Sequence, residues 1–168
     1  MKGMIIAMFH FGKKTADDDQ LYAPITGEVV KLETVSDPVF AQKMMGEGFG
    51  VNPDVSVGTI VSPVAGEVTL VQGHAVGLKR ADGLEVLIHL GIDTVSLKGA
   101  PFEMLTKVGK VVKGGDPLVN VDWAQIKAAG LDNVVLVLIT NTNDALANLD
   151  VNYGANQSGA VIGKATAK

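Results

Sequence analysis

The sequence predicts a mainly β protein, an antiparallel β-sandwich or flattened barrel with an internal duplication and a few short helices. Three observations predict it. Short runs rich in Val, Ile and Thr alternate with Gly, Pro and Asp-Gly punctuation, the pattern of strands closed by turns. Twenty glycines supply the turn positions that many short strands need. A Pro-x-x-Gly-Glu-Val core also occurs twice, in "YAPITGEVVKL" at 22–32 and "VSPVAGEVTLV" at 61–71, each time leading into an alternating strand pattern. Repeats of this kind imply β units that fold onto each other.

Residues 1–20 read as an N-terminal arm and linker, and residues 21–168 as one domain. The apolar run "MIIAMF" at 4–9 is far too short to span a bilayer and lacks the long apolar region and cleavage site of a secretory signal. With Lys2, Lys13 and Lys14 around it, the arm suits either a packed or frayed terminus or a short amphipathic piece lying weakly in a membrane surface. "GKKTADDDQ" at 12–20 is a polar linker. Farther on, "PFEMLTKVG" (101–109) suits two turns of helix stopped by Gly109, and "DWAQIKAAG" (122–130) a helix capped by Asp122 and ended by Gly130. "NVVLVLIT" (133–140) is continuously apolar and too short for a typical helix, so it should be a strand buried on both faces.

Composition narrows the function classes. At 168 residues, 47% hydrophobic and 19% charged, the chain can bury one substantial core. A net charge of −4 without basic runs argues against a nucleic-acid surface. The absence of cysteine rules out disulfides, thiolate metal sites and a catalytic thiol in this chain, and agrees with a reducing cytoplasm.

The chemistry points to "EVLIHLGIDTV" at 85–95, where one imidazole interrupts an apolar strand. Asp82-Gly83 upstream is the strongest hairpin signal in the chain. With those two residues as the loop, Ala81 faces Leu84, His89 lies opposite Val76, and His74 lies opposite Gly91. His74 and His89 then point to one side as diagonal neighbours, roughly 7–8 Å apart at the backbone. Val76, Leu78 and Leu87 share their face. A one-residue slip would separate the two rings. Two imidazoles in an apolar patch suit packed core histidines, zinc ligands, or a nucleophile with its partner. Zinc would need further ligands, and the sequence has no His-x-His, no His-Glu-x-x-His and no Cys; the third histidine, His10, lies in the arm.

"GHAVGL", followed fifteen residues after its histidine by that of "LIHLGIDTVSLKG", with "APITGEVVKLETVSDPVFAQKMMGEGFGVNP" upstream, closely resembles the enzyme IIA component of the glucose family of the bacterial phosphoenolpyruvate-dependent sugar phosphotransferase system. The likeness runs from about residue 21 to the final strand. It implies a duplicated β-sandwich and a cytoplasmic phosphocarrier with no cofactor and no metal. Its donor would be the histidine-containing phosphocarrier protein, HPr. Its acceptor would be a cysteine on the IIB domain of a membrane permease, so that any link to the membrane runs through the permease or weakly through the N-terminal arm. A chain without cysteine then looks like a free-standing IIA protein. The resemblance makes His89 the phosphorylated residue and His74 its partner, with the Gly91 carbonyl holding Nδ1–H of His89. The family usually has Thr two residues before the first histidine; here Gln72 stands there, an amide that can both donate and accept.

Asp37 and Asp93 match acidic positions beside the family's site, and both also suit local turn chemistry. Val39, Phe40, Met44, Met45 and Val95, with Val76, Leu78 and Leu87, would make an apolar docking patch. Two rival classes share some of these features. A zinc metallopeptidase of a related duplicated β fold would need a third ligand on the same face. A biotin or lipoyl carrier would need a modified lysine in a tight hairpin, typically within Met-Lys-Met, and no such motif occurs.

Overall fold

The structure, a computed structural model, describes residues 14–168. The arm segment "MIIAMF", for which a packed or frayed terminus and a membrane-surface piece are the alternatives, and His10 lie outside the described residues. The strands in chain order are β1 (Gln20–Tyr22), β2 (Gly27–Lys31), β3 (Glu47–Pro53), β4 (Thr59–Val61), β5 (Gly66–Gln72), β6 (Ala75–Lys79) and β7 (Glu85–Leu90). There follow β8 (Phe102–Met104), β9 (Val111–Val112), β10 (Pro117–Val121), β11 (Val135–Ile139), β12 (Leu146–Val151), β13 (Gly154–Asn156) and β14 (Val161–Ala167). Short helices α1 (Pro38–Ala41), α2 (Trp123–Ala128) and α3 (Thr142–Ala145) join them. The strands pair antiparallel into an eight-stranded sheet, β13-β2-β3-β11-β7-β6-β5-β9, and two three-stranded sheets, β1-β14-β12 and β4-β10-β8. The sandwich stays open and does not close into a barrel.

That strand order carries an approximate two-fold axis between β11 and β7. Strands β1-β2-β3-β11-β12-β13-β14 and β4-β5-β6-β7-β8-β9-β10 have the same pairings in the same order. The duplication expected from the two Pro-x-x-Gly-Glu-Val segments therefore extends across the whole sandwich, with one half inserted into the other. The two motifs also grip each other reciprocally. Tyr22 N–H donates to the Pro63 carbonyl at 2.8 Å, and Val61 N–H, at the equivalent position, donates to the Pro24 carbonyl at 2.8 Å.

Both small sheets pack on one face of the large sheet. The resulting core includes Leu21, Val29, Phe49, Val51, Ile60, Val68, Val86, Ile88, Leu90, Leu118, Val135, Val137 and Ile162. A second, smaller cluster lies on the other face, where Leu32, Val35 and Phe40 cover Ile92, Val134, Leu136 and Leu138. Strand β11 is buried at every position, as its continuous apolar sequence predicts, because each face of it meets a core. Asp122 caps α2, accepting from Ala124 N–H at 3.1 Å.

Three expectations need correction. The segment 101–109 forms no helix. Phe102–Met104 is strand β8 paired with β10, burying Phe102 and exposing Glu103, and an alternation this short is hard to tell from one helical turn. The hairpin loop has three residues, not two: Arg80 N–H donates to Leu84 O at 2.9 Å, and Ala81, Asp82 and Gly83 form the loop, with Gly83 at φ 94°. The Asp82 carboxylate binds the buried Arg80 guanidinium, which also donates to the Ala165 carbonyl at 2.9 Å, so Asp82 serves as a counter-ion as well as a turn residue. The register consequently slips by one, and His89 faces Ala75 instead of Val76. Val76 and Leu78 turn into the inner core, at 0% and 1% exposure, and cannot belong to a docking patch.

Candidate functional site

With β6 and β7 in this register, strict alternation would put His74 on the face opposite His89. Their rings nevertheless meet edge-on, with centroids 5.0 Å apart and planes at 75°. The reason is local. His74 lies in the β5–β6 turn, just before β6 begins, and joins the ladder only through its carbonyl, which accepts Leu90 N–H at 2.8 Å. A residue outside the strand is not bound by the strand's period. The expected juxtaposition is therefore made by a turn residue meeting a strand residue, not by diagonal pairing across two strands.

His89 stands on the outer face of β7, between Ala75 on β6 and Leu136 on β11. Its Nδ1 lies 2.8 Å from the Gly91 carbonyl oxygen. A carbonyl can only accept, so Nδ1 carries the proton, and the neutral ring keeps its lone pair on Nε2. Phe40 tilts against the same ring at a centroid distance of 5.1 Å. It is itself buried, so it walls the imidazole and offers little open surface to a partner. Both imidazoles are half-buried.

Burial lowers the His89 pKa below its ordinary value; the Gly91 hydrogen bond and the carboxylates of Asp37 and Asp93 pull the other way, while His74 adds to the lowering. Burial lowers His74 as well. Both rings are thus neutral at pH 7, as a nucleophile and a neutral donor require. The expected NMR titration shows both imidazoles changing charge below the unperturbed value of about 6.5. The folded state then binds fewer protons than the unfolded chain in that range, so stability is full above about 6.5 and declines as pH falls through the lowered pKa values. A His89 midpoint at or above 6.5 would contradict the burial that this environment implies.

The remaining sequence candidates divide. Asp37 caps α1 by accepting Val39 N–H at 2.8 Å, so its turn role is real, and its charge is also felt at His89. Asp93 is left-handed at φ 61° and opens the 3-10 turn Thr94–Leu97 that carries Val95. Val39 and Val95 are exposed, at 41% and 61%, and Leu87 is half-buried beside the outer cluster. Met44 and Met45 are exposed too, but they line a hollow with residues 140–144, next to the row Glu47–Ile139–Val86, three ladder positions from His89. Gln72 is exposed on the same row as Ala75 and His89, and among the described residues no hydrogen bond joins it to either imidazole. Sequence reading missed Thr94. It is a fully buried polar residue whose hydroxyl donates to the Leu90 carbonyl, and its residue type, beside Asp93 and Ser96, does not set it apart from ordinary turn residues.

A zinc centre would need at least one more donor. Among the described residues no group of three His, Cys, Asp or Glu side chains is placed to hold a metal ion. Nor is any described helix long and apolar enough to cross a membrane.

Residues 19–145 match the family model described as phosphoenolpyruvate-dependent sugar phosphotransferase system, EIIA 1. The chain belongs to this EIIA family. It is 49% identical over 144 residues to the PTS system glucose-specific EIIA component of Staphylococcus aureus strain COL, covering 84% of this chain and 86% of that protein. The component of the same name in Staphylococcus epidermidis strain ATCC 12228 is 46% identical over 142 residues, covering 83% and 84%. Among solved structures, glucose permease IIA from Mycoplasma capricolum superposes with a TM-score of 0.75 at 32% identity, over 90% of this chain and 96% of that one. As a glucose-family EIIA the protein is a phosphotransferase component, and nothing in these comparisons supports a metallopeptidase.

Proposed function

We propose that this EIIA accepts a phosphoryl group from phospho-HPr on Nε2 of His89 and passes it to the cysteine of a IIB domain of a sugar permease, working in the cytoplasm. The observation that carries the reading is the Nδ1–Gly91 contact at 2.8 Å, with a second imidazole edge-on at 5.0 Å. Phosphoryl transfer asks the protein for positioning and charge stabilisation more than for covalent chemistry. On loading, the Nε2 lone pair forms the new N–P bond. The donor's P–N bond breaks, and its electron pair returns to the donor imidazole. The Nδ1 proton stays on His89, held by Gly91. On unloading, a IIB thiolate attacks phosphorus and the N–P pair returns to Nε2. His74 donates an N–H to the phosphoryl oxygens, a charge-assisted bond stronger than a neutral one.

Val39, Leu87 and Val95 offer partners an apolar rim, and Asp37 and Asp93 place negative charge near the phosphoryl group, which favours its release. Met44 and Met45 extend that surface along α1's exit, farther from the reacting nitrogen. Incubation with phosphoenolpyruvate, enzyme I and HPr, followed by mass-spectrometric mapping under conditions that preserve phosphohistidine, tests the assignment. One phosphoryl group on His89 is expected. Phosphate on another residue, or none, refutes it.

A further inference from the structure

We propose that Thr94 is a positioning residue for His89: its buried hydroxyl, by holding the Leu90 carbonyl, fixes the Gly91 carbonyl that selects the reactive tautomer. The inference rests on the phosphocarrier reading for its consequence in transfer, though not for its effect on the imidazole.

Gly91 sits at φ 78°, in the left-handed region that only glycine adopts freely. Its Cα is walled in: a Cβ added there would meet Thr94 Cγ2 at 2.5 Å and the Asp132 carbonyl oxygen at 2.8 Å. Both peptide planes flanking it are pinned. In the plane before it, Gly91 N–H donates to Val134 O at 2.8 Å, and Leu90 O accepts the Thr94 hydroxyl. In the plane after it, Ile92 N–H donates to Asp132 O at 3.0 Å, which leaves the Gly91 oxygen aimed at His89 Nδ1. Apart from His89 itself, Thr94 supplies the side-chain donor in this set and the others are backbone amides, so Thr94 is the direct support of these two planes that a side-chain substitution removes. The preceding peptide ties in the main chain of the second histidine, because Leu90 N–H donates to the His74 carbonyl at 2.8 Å.

The other half of the duplication supplies an internal control. Thr142 Oγ1 donates to the carbonyl of Ile139, the last residue of β11, as Thr94 does to Leu90, the last residue of β7. There the hydroxyl also accepts Glu47 N–H at 2.9 Å. Closing the strand end is thus a property of the duplicated fold. In the β7 half alone the next carbonyl orients an imidazole.

The test compares Thr94→Val, Thr94→Ser and Thr142→Val by long-range ¹H–¹⁵N correlation of the imidazoles near pH 8 and by the rate of phosphoryl uptake from HPr. Thr94→Val keeps the volume and loses the hydroxyl. It should turn the single Nδ1–H tautomer of His89 into a mixture and slow loading about tenfold, by analogy with the loss when an outer hydrogen-bonding partner of a metal-ligating histidine is removed. Thr94→Ser should restore both, and Thr142→Val should leave the tautomer unchanged. Where Thr94→Val does not fold, Thr94→Ala carries the same reading. An undisturbed tautomer in the hydroxyl-free variants, or equal disturbance in Thr94→Ser or Thr142→Val, would overturn the proposal. If the wild-type protein takes no phosphate on His89, the phosphocarrier reading fails instead, and the tautomer comparison still decides the role of Thr94.

Discussion

His89→Ala is expected to take up no phosphoryl group from HPr. Loading needs a neutral nitrogen with its lone pair outward, and of the two described histidines His89 is the one whose tautomer is set by a main-chain carbonyl. His74 stands beside it, and no described hydrogen bond fixes which of its nitrogens is protonated. The variant should still fold. It loses the ring contact with Phe40 on the outer face but leaves the inner core untouched, so the stability change should stay within about 1 kcal/mol. A gel-shift or mass measurement after incubation with enzyme I, HPr and phosphoenolpyruvate reads the outcome. Stoichiometric phosphate on His74 in this variant would overturn the assignment of roles.

His74→Gln should load on His89 at a near-normal rate and then deliver the phosphoryl group far more slowly. Loading depends on the attacking nitrogen, which this change leaves in place. Delivery to a thiolate is harder, because charge is redistributed between two anionic centres in a closed interface. A positioned donor to the phosphoryl oxygens is worth most there, and removing one such donor in other enzymes costs roughly 10²–10³ in rate. Rapid-quench chase of the loaded variant with its IIB partner separates the two steps. Crippled loading with normal delivery would reverse the roles of the two histidines.

How much of this was legible in the sequence depends on how local the signal is. Strand β11 announced itself because burial on both faces removes all polar residues from it, and Asp122 announced α2 because a side-chain cap is a property of neighbouring residues. The duplication was visible because the Pro-x-x-Gly turn must be rebuilt in each half. The hairpin register was not legible. Asp-Gly marks a turn equally well in two- and three-residue loops, and the pairing of Asp82 with the buried Arg80 guanidinium, itself anchored on the distant Ala165 carbonyl, is not readable from the turn residues. That one-residue difference in the loop decides whether Val76 and Leu78 face partners or the core. The sequence makes Phe40 part of an open docking patch; it is instead buried against His89, because Leu136 and Leu138, from a strand nearly a hundred residues later, pack with it. Thr94 was passed over because a hydroxyl's partner, here a carbonyl four residues earlier, cannot be read from residue type.

The insertion of one half into the other sets the order in which the chain can close as it is synthesised. Strands β4–β10, residues 59–121, leave the ribosome consecutively and find their partners within their own half, apart from the second side of β7, which pairs with β11. Strands β1–β3 emerge earlier yet must wait, because β3 pairs on its second side with β11, β2 with β13, and β1 with β14, where Gln20 meets Lys164. Such long-range pairings are slow to form, and a waiting strand edge invites wrong partners. On β3 the outer-facing positions against Leu138 and Leu136 are Gly48 and Gly50. Their lack of side chains leaves the early nascent edge less hydrophobic and less β-prone until its true neighbour arrives.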